Sequence, residues 1–155
     1  MANHQPELLS GLSPFDADAM LAVGTTVTLA AGDVLFNLGD EADAMYLINR
    51  GRVALTLPIQ IGGREEDVFI EERLPGQVLG WSALTPPYRF TLKATSPLAT
   101  ELTRLPRRAL LDYFATRPDV GYAVGLNVAS VIGQRLQVVQ AMWLREVQRV
   151  VNAHA

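Results

Sequence analysis

The sequence predicts a mainly β fold with flanking helices: a β-roll or barrel closed off by a long C-terminal helix. Three observations predict it. Residues 25–105 fall into short runs rich in Val, Leu, Ile and Thr, cut at short intervals by Gly, Pro and Asp, the pattern of many short strands joined by tight turns. Before and after that stretch the apolar residues recur at helical spacing. Finally, 155 residues with 49% hydrophobic and 19% charged side chains can close one substantial core without staples. The expected organisation is a single domain over 1–155, with an N-terminal helix at 6–23, the roll at 25–105 and C-terminal helices at 106–152.

In the N-terminal helix, Ser13-Pro14 reads as an N-cap followed by Pro at the first helical position, with Phe15, Ala19, Met20 and Val23 on one face. Within the roll, Val53-Ala54-Leu55-Thr56-Leu57 alternates with period two, which puts Val53, Leu55 and Leu57 on a core face. Gly62-Gly63 supplies a hairpin turn, because two glycines accept the positive φ of a two-residue loop. The return strand is expected at about Asp67 to Arg73. Pro106 to Phe114 then makes a short helix, Arg117-Pro118-Asp119 interrupts it, and a long helix runs from about Val120 to Asn152. Ile132, Leu136, Val139, Trp143 and Val150 recur in steps of four and three, with Glu146 at the missing place, while Val124, Val128, Val131, Val138 and Met142 form an adjacent stripe. Two stripes suggest two partners, the roll and a second copy of the chain. A helix of ~33 residues spans ~50 Å, more than a domain of this size covers, so a homodimer is expected rather than one intramolecular core serving both stripes.

Composition excludes several classes of function. With no cysteine there is no disulfide, zinc ribbon, iron–sulfur cluster or thiol nucleophile. The histidines, His4 and His154, stand at the chain ends, so no histidine-ligated metal is expected in the core. The serines have no neighbouring histidine base and no phosphate loop with Lys-Ser/Thr occurs. The missing ligands also argue against a metal-dependent cupin, so no enzyme is expected. A net charge of −3 lacks the cationic excess of a nucleic-acid-binding domain. No apolar run approaches the ~20 residues of a membrane span, and the polar start Met1 to Pro6 lacks a signal peptide's features, so the expected location is the cytoplasm.

The segment Gly32-Asp33-Val34-Leu35-Phe36-Asn37-Leu38-Gly39-Asp40-Glu41-Ala42-Asp43-Ala44-Met45-Tyr46-Leu47-Ile48-Asn49-Arg50-Gly51-Arg52-Val53 carries a resemblance. It is similar to the first half of the cyclic-nucleotide-binding domain of the catabolite activator protein and the Crp-Fnr regulators. The similarity continues through Leu74-Pro75-Gly76-Gln77-Val78-Leu79-Gly80 and reaches Arg135-Leu136-Gln137-Val138. It implies a double-stranded, jelly-roll-like β-helix, a dimerisation helix and a non-catalytic regulatory role. The family's winged helix-turn-helix has no counterpart in this sequence, so no direct DNA binding is expected.

In the family, a phosphate-binding cassette sets the N–H groups of a short helix and an arginine against a cyclic phosphate, and a Glu after the glycine accepts the ribose hydroxyl. The corresponding stretch here is Gly80 to Ala94. Gly80 matches the glycine, and Ser82-Ala83-Leu84 matches the short helix. Trp81 replaces the Glu, and an indole donates but cannot accept. With Lys93-Ala94 fixing the register, the arginine position falls on Tyr88 and Arg89 comes one residue late, an offset that reverses a side chain on a strand. The positions that contact the purine fall on Val139 and Gln140. The resemblance thus implies a ligand site at Gly80, Trp81, Ser82, Ala83, Tyr88, Arg89, Phe90, Val139 and Gln140, with cAMP or cGMP as candidate ligand and no metal or other cofactor. Two alternatives stay open: a sensor of a different small anion, and a degenerate domain serving as a dimeric protein-interaction module with Trp81 in the ligand space. The direction of Arg89 and the place of the Trp81 ring distinguish them.

Overall fold

The computed structural model describes residues 5–155; His4 and the first three residues of the polar start lie outside them. Eight strands among the described residues form two four-stranded antiparallel sheets. One has the order β1-β8-β3-β6, from β1 (Thr25–Leu29), β8 (Thr100–Pro106), β3 (Ala44–Arg50) and β6 (Val78–Leu79). The other has the order β2-β7-β4-β5, from β2 (Val34–Phe36), β7 (Lys93–Thr95), β4 (Val53–Ile61) and β5 (Arg64–Arg73). Strands far apart in sequence lie side by side, so the chain winds between the sheets and encloses a core. This is the double-stranded roll that the resemblance implies.

The core follows the alternation of the strands. Val53 and Leu55 are buried, whereas Leu57, expected on the same face, is only half-buried. Two local features explain it. β7 pairs with β4 only over Ala54–Thr56. A register shift between Leu55 and Thr56 then moves the partner from Glu71 to Phe69, a bulge that bends the pair. Beyond it β4 and β5 continue as a two-stranded ribbon. Its tip is the Gly62-Gly63 turn, with φ of 57° and 78°, the left-handed pair a tight hairpin needs. That turn sets Ile61 directly opposite Arg64, so the return strand starts at Arg64 rather than Asp67.

At the N-terminus a 3-10 turn (Glu7–Leu9) precedes α1 (Pro14–Leu21). Ser13 caps α1 as expected, its hydroxyl accepting from the Asp16 amide at 3.1 Å. The buried face differs from the expected one: Ala17 and Met20 are buried, while Phe15 is 76% exposed. The cause is an ion pair. Arg117 donates to both carboxylate oxygens of Asp16, at 2.7 and 3.1 Å, which turns the Asp16–Ala17–Met20 edge of the helix inward.

α2 (Arg107–Thr116) and α3 (Pro118–Ala153) end the chain, separated at Arg117. Val120, Val124, Val128 and Val131 pack α3 onto the roll. Asn127 fastens it to the N-terminal turn, donating to the carbonyls of Leu8 and Ser10 at 2.9 and 2.8 Å. Past Arg135 the apolar stripe continues without cover: Leu136, Val139, Trp143 and Val150 are exposed, Trp143 by 64%. Val138 and Met142, of the second stripe, are half-buried.

Candidate functional site

β6 leads into Gly80, whose φ of 82° turns the chain into a short 3-10 helix, Trp81–Leu84. Glycine is needed here for two reasons. A Cβ would be strained at that φ, and it would sit 3.1 Å from the Ala44 carbonyl oxygen and 3.3 Å from Phe90 Cε1. The turn faces a cavity lined by Phe36, Leu55, Gly80, Trp81, Ser82, Phe90, Thr91, Leu92 and Arg135. It holds about 20 Å³, room for about one water molecule. Phe90 stacks on Phe36, with centroids 3.7 Å apart and planes 8° from parallel, and their rings fill one side of it.

Four of the residues expected in the site therefore meet around one cavity: Gly80, Trp81, Ser82 and Phe90. Ala83 lies fully buried in the core. Among the described residues, the Trp81 and Ser82 amides and the Ser82 hydroxyl have no protein hydrogen-bond partner, so this end of the short helix keeps unused donors. The remaining expected residues are placed elsewhere.

Arg89 is exposed, and its Nη1 donates to the Gly39 carbonyl at 3.3 Å. The reason is a small ladder between residues 88–90 and the loop before β3. The Gly39 amide donates to the Phe90 carbonyl, the Phe90 amide to the Asp40 carbonyl, and the Ala42 amide to the Tyr88 carbonyl, at 2.8, 3.0 and 2.8 Å. Side chains alternate along such a segment. Phe90 takes the inward side, so Arg89 points outward. Tyr88, at φ 60°, leaves the cavity too, and the Arg107 guanidinium stands 4.5 Å from its ring centroid. Val139 and Gln140 are exposed on α3, at least a turn beyond the cavity.

The cation in the cavity wall is instead Arg135 of α3. The sequence stretch Arg135 to Val138 carried part of the resemblance, but nothing in a linear reading brings α3 against β5. Arg135 Nε donates to Glu71 Oε1 at 2.7 Å, and Nη2 contacts the same oxygen. The pair is largely desolvated, its side chains 11% and 17% exposed. Glu71 Oε1 also lies 3.7 Å from Arg73 Nη1. Arg73, with a side chain 6% exposed, contacts Glu7 through Nη2 and donates to the Val78 carbonyl from Nε at 3.0 Å. Burial pulls the Arg73 guanidinium below the usual arginine range, and the charges of Glu7 and Glu71 pull it back. The row Glu7, Arg73, Glu71, Arg135 alternates in sign, so buried charge is compensated along its length. Sequence periodicity signals none of it, because the register shift between Leu55 and Thr56, which sets Glu71 and Arg73 opposite the buried Leu55 and Val53, has no mark in the strand's alternation.

The profile of the cyclic nucleotide-binding domain matches residues 26–117. The cyclic AMP receptor protein of Thermus thermophilus is 28% identical over 130 residues, covering 84% of this chain and 57% of that protein, so the chain spans little more than half the length of this relative. The N-terminal domain of a transcriptional regulator from Streptomyces coelicolor A3(2) superposes with a TM-score of 0.70 at 28% identity, over 83% of this chain and 89% of that one. The catabolite activator protein of Thermus thermophilus gives 0.73 at 26% identity, over 92% of this chain and 63% of that one. Among the described residues, no helix is long and apolar enough to cross a membrane. The matched profile spans the β-roll with its cassette turn and all of α2, and the superpositions extend over most of the chain: the chain belongs to the cyclic nucleotide-binding domain family, in the form found in regulators of the catabolite activator type.

Proposed function

We propose that this chain is a non-catalytic regulatory domain that takes a small anionic ligand, a cyclic nucleotide being the first to try, through Arg135 rather than Arg89. One observation carries the reading: the mostly buried Arg135 guanidinium lines the same cavity as Trp81 and Ser82, whose amides, with the Ser82 hydroxyl, have no protein hydrogen-bond partner among the described residues. Together they are donors of the kind a phosphate oxygen accepts from. The outward turn of Arg89 removes the cation that the sequence assigned, and the sensor role then rests on Arg135. Trp81 supplies a flat apolar wall where the family has a carboxylate, which favours stacking over a ribose contact. Output passes through α3, which both borders the cavity and carries the uncovered stripe by which two copies pair. In this reading the chain is a cytoplasmic homodimer.

Titration calorimetry with cAMP and cGMP tests it. Saturable binding is expected, about tenfold to a hundredfold weaker in Arg135→Ala, the loss expected for one charged hydrogen-bonded contact, and unchanged in Arg89→Ala.

The small cavity favours a second reading. About 20 Å³ is far below the roughly 300 Å³ or more of ordinary ligand pockets, as in an interaction module whose ligand space is filled by Trp81, Phe36 and Phe90. That reading stands if neither nucleotide gives heat or raises Tm while the chain still dimerises.

A further inference from the structure

Glu71 occupies the donors that an anion in the cavity would need. Among the described residues Arg135 is the one charged residue lining that cavity, and two of its nitrogens are committed to a single Glu71 oxygen. An anion approaching Arg135 with this pair intact meets a carboxylate in a poorly solvated site, where like charges repel strongly. An anion that takes the guanidinium leaves the carboxylate behind. Elsewhere in a protein interior that loss would be prohibitive. Here Arg73 Nη1 already stands 3.7 Å from the same oxygen, so the released Glu71 has a second cation within reach.

We propose that Glu71 is a built-in competitor for Arg135, so that ligand binding exchanges the α3-to-β5 ion pair for one within β5, between Glu71 and Arg73. The exchange sets the affinity of the site and converts occupancy into release of a tether. Before binding, Glu71 joins α3 to the roll; after binding, Arg135 belongs to the ligand and Glu71 to its own strand. The Glu7 contact keeps Arg73 in place throughout. This inference rests on Arg135 as the ligand's cation. It adds what the family resemblance does not supply, a carboxylate on β5 acting against the ligand rather than for it.

Titration of the full chain with cAMP tests it, comparing wild type, Glu71→Gln and Glu72→Gln. Glu72 is the neighbouring acid on the same strand; it pairs with Arg52 at 2.9 Å and makes no contact with Arg135. Removing the competing charge is expected to tighten cAMP binding about tenfold, the scale of one charge-assisted contact. The same variant should show a lower Tm without ligand and a larger rise with it, whereas Glu72→Gln matches wild type. A merely structural Glu71 would weaken both stability and binding when replaced, and that result overturns the proposal. If Glu71→Gln does not fold by circular dichroism, a crystal structure of the wild type with cAMP decides instead. Arg135 on the phosphate with Glu71 against Arg73 supports the exchange; an intact Glu71–Arg135 pair beside bound nucleotide refutes it. Binding by wild type with no gain in Glu71→Gln sinks the competitor alone, while no binding by either sinks the anion site as well.

Discussion

Up to Val131, α3 sets a valine against the roll at every third or fourth residue; from Leu136 onward the same spacing continues with nothing beneath it. The near half is paired with the N-terminal turn and the β-roll, and its buried residues are the small, β-branched ones that suit a close approach. The far half carries Leu136, Val139, Trp143 and Val150, larger on average and exposed. Periodicity therefore identifies a face without naming what covers it. What separates the two halves is length: the roll is shorter than the helix, so one continuous pattern serves an intramolecular core first and, in the proposed dimer, a second copy afterwards.

The largest expected effect lies in the far half. Replacing Leu136 and Trp143 together with Asp puts two charges into the proposed seam, and self-association measured by sedimentation equilibrium should weaken at least ~100-fold, given the several kcal/mol that burying unpaired charges costs. Thermal unfolding of the roll should persist in that monomer. If the double variant remains a dimer, the seam is elsewhere.

A smaller effect in the near half sharpens the contrast. Val124→Ala removes buried methyl groups from the contact with the roll and should lower unfolding free energy in urea by about 1–3 kcal/mol, with the oligomeric state unchanged. Equal effects of both changes on stability and association would mean that the two halves form one cooperative surface.

The smallest effect lies where α3 begins. Arg117 donates to Asp119 at 2.9 Å as well as to Asp16, and this contact holds the Asp119 carboxyl below the usual carboxylate range. A carboxyl whose folded pKa is depressed adds stability above its unfolded pKa and loses it as pH falls through the folded value. Thermal melts between neutral and strongly acid pH should fall less steeply in Asp119→Asn than in wild type. Because the pair is at the surface, added salt should shrink the difference.

The fold was legible because its signals are local. Glycines at 32, 39 and 51 hold φ of 86° to 88°, as tight corners between strands require, and the alternation of Val53 and Leu55 survives as buried positions. Where a tertiary constraint acts, local pattern misleads. Phe15 was expected on a packed face, yet the Asp16–Arg117 pair rotates α1 and leaves it exposed. Leu57 was expected inside, yet β7 ends before it. The site was less legible for the same reason. Gly80, Trp81, Ser82 and Phe90 are close in sequence and meet at the cavity, whereas Arg135 comes from α3, and only the packing of that helix brings its guanidinium there. Arg89 shows the converse: a one-residue offset, visible in the sequence, did place its guanidinium outside.

The Glu7–Arg73 contact bears on how this protein can be dissected. Residues 26–117 are the stretch the family profile matches, and they are the natural boundaries for a minimal fragment. Such a fragment would strip Arg73 of its nearer counter-ion, Glu7, leave the Val78 amide without the Glu7 oxygen it donates to at 2.8 Å, and bare the core where Leu8, Leu9 and Met20 lie fully covered. Residues 6–24 act as a clasp across the corner between β5 and β6, so any shortened version for spectroscopy or crystallisation should begin no later than Pro6.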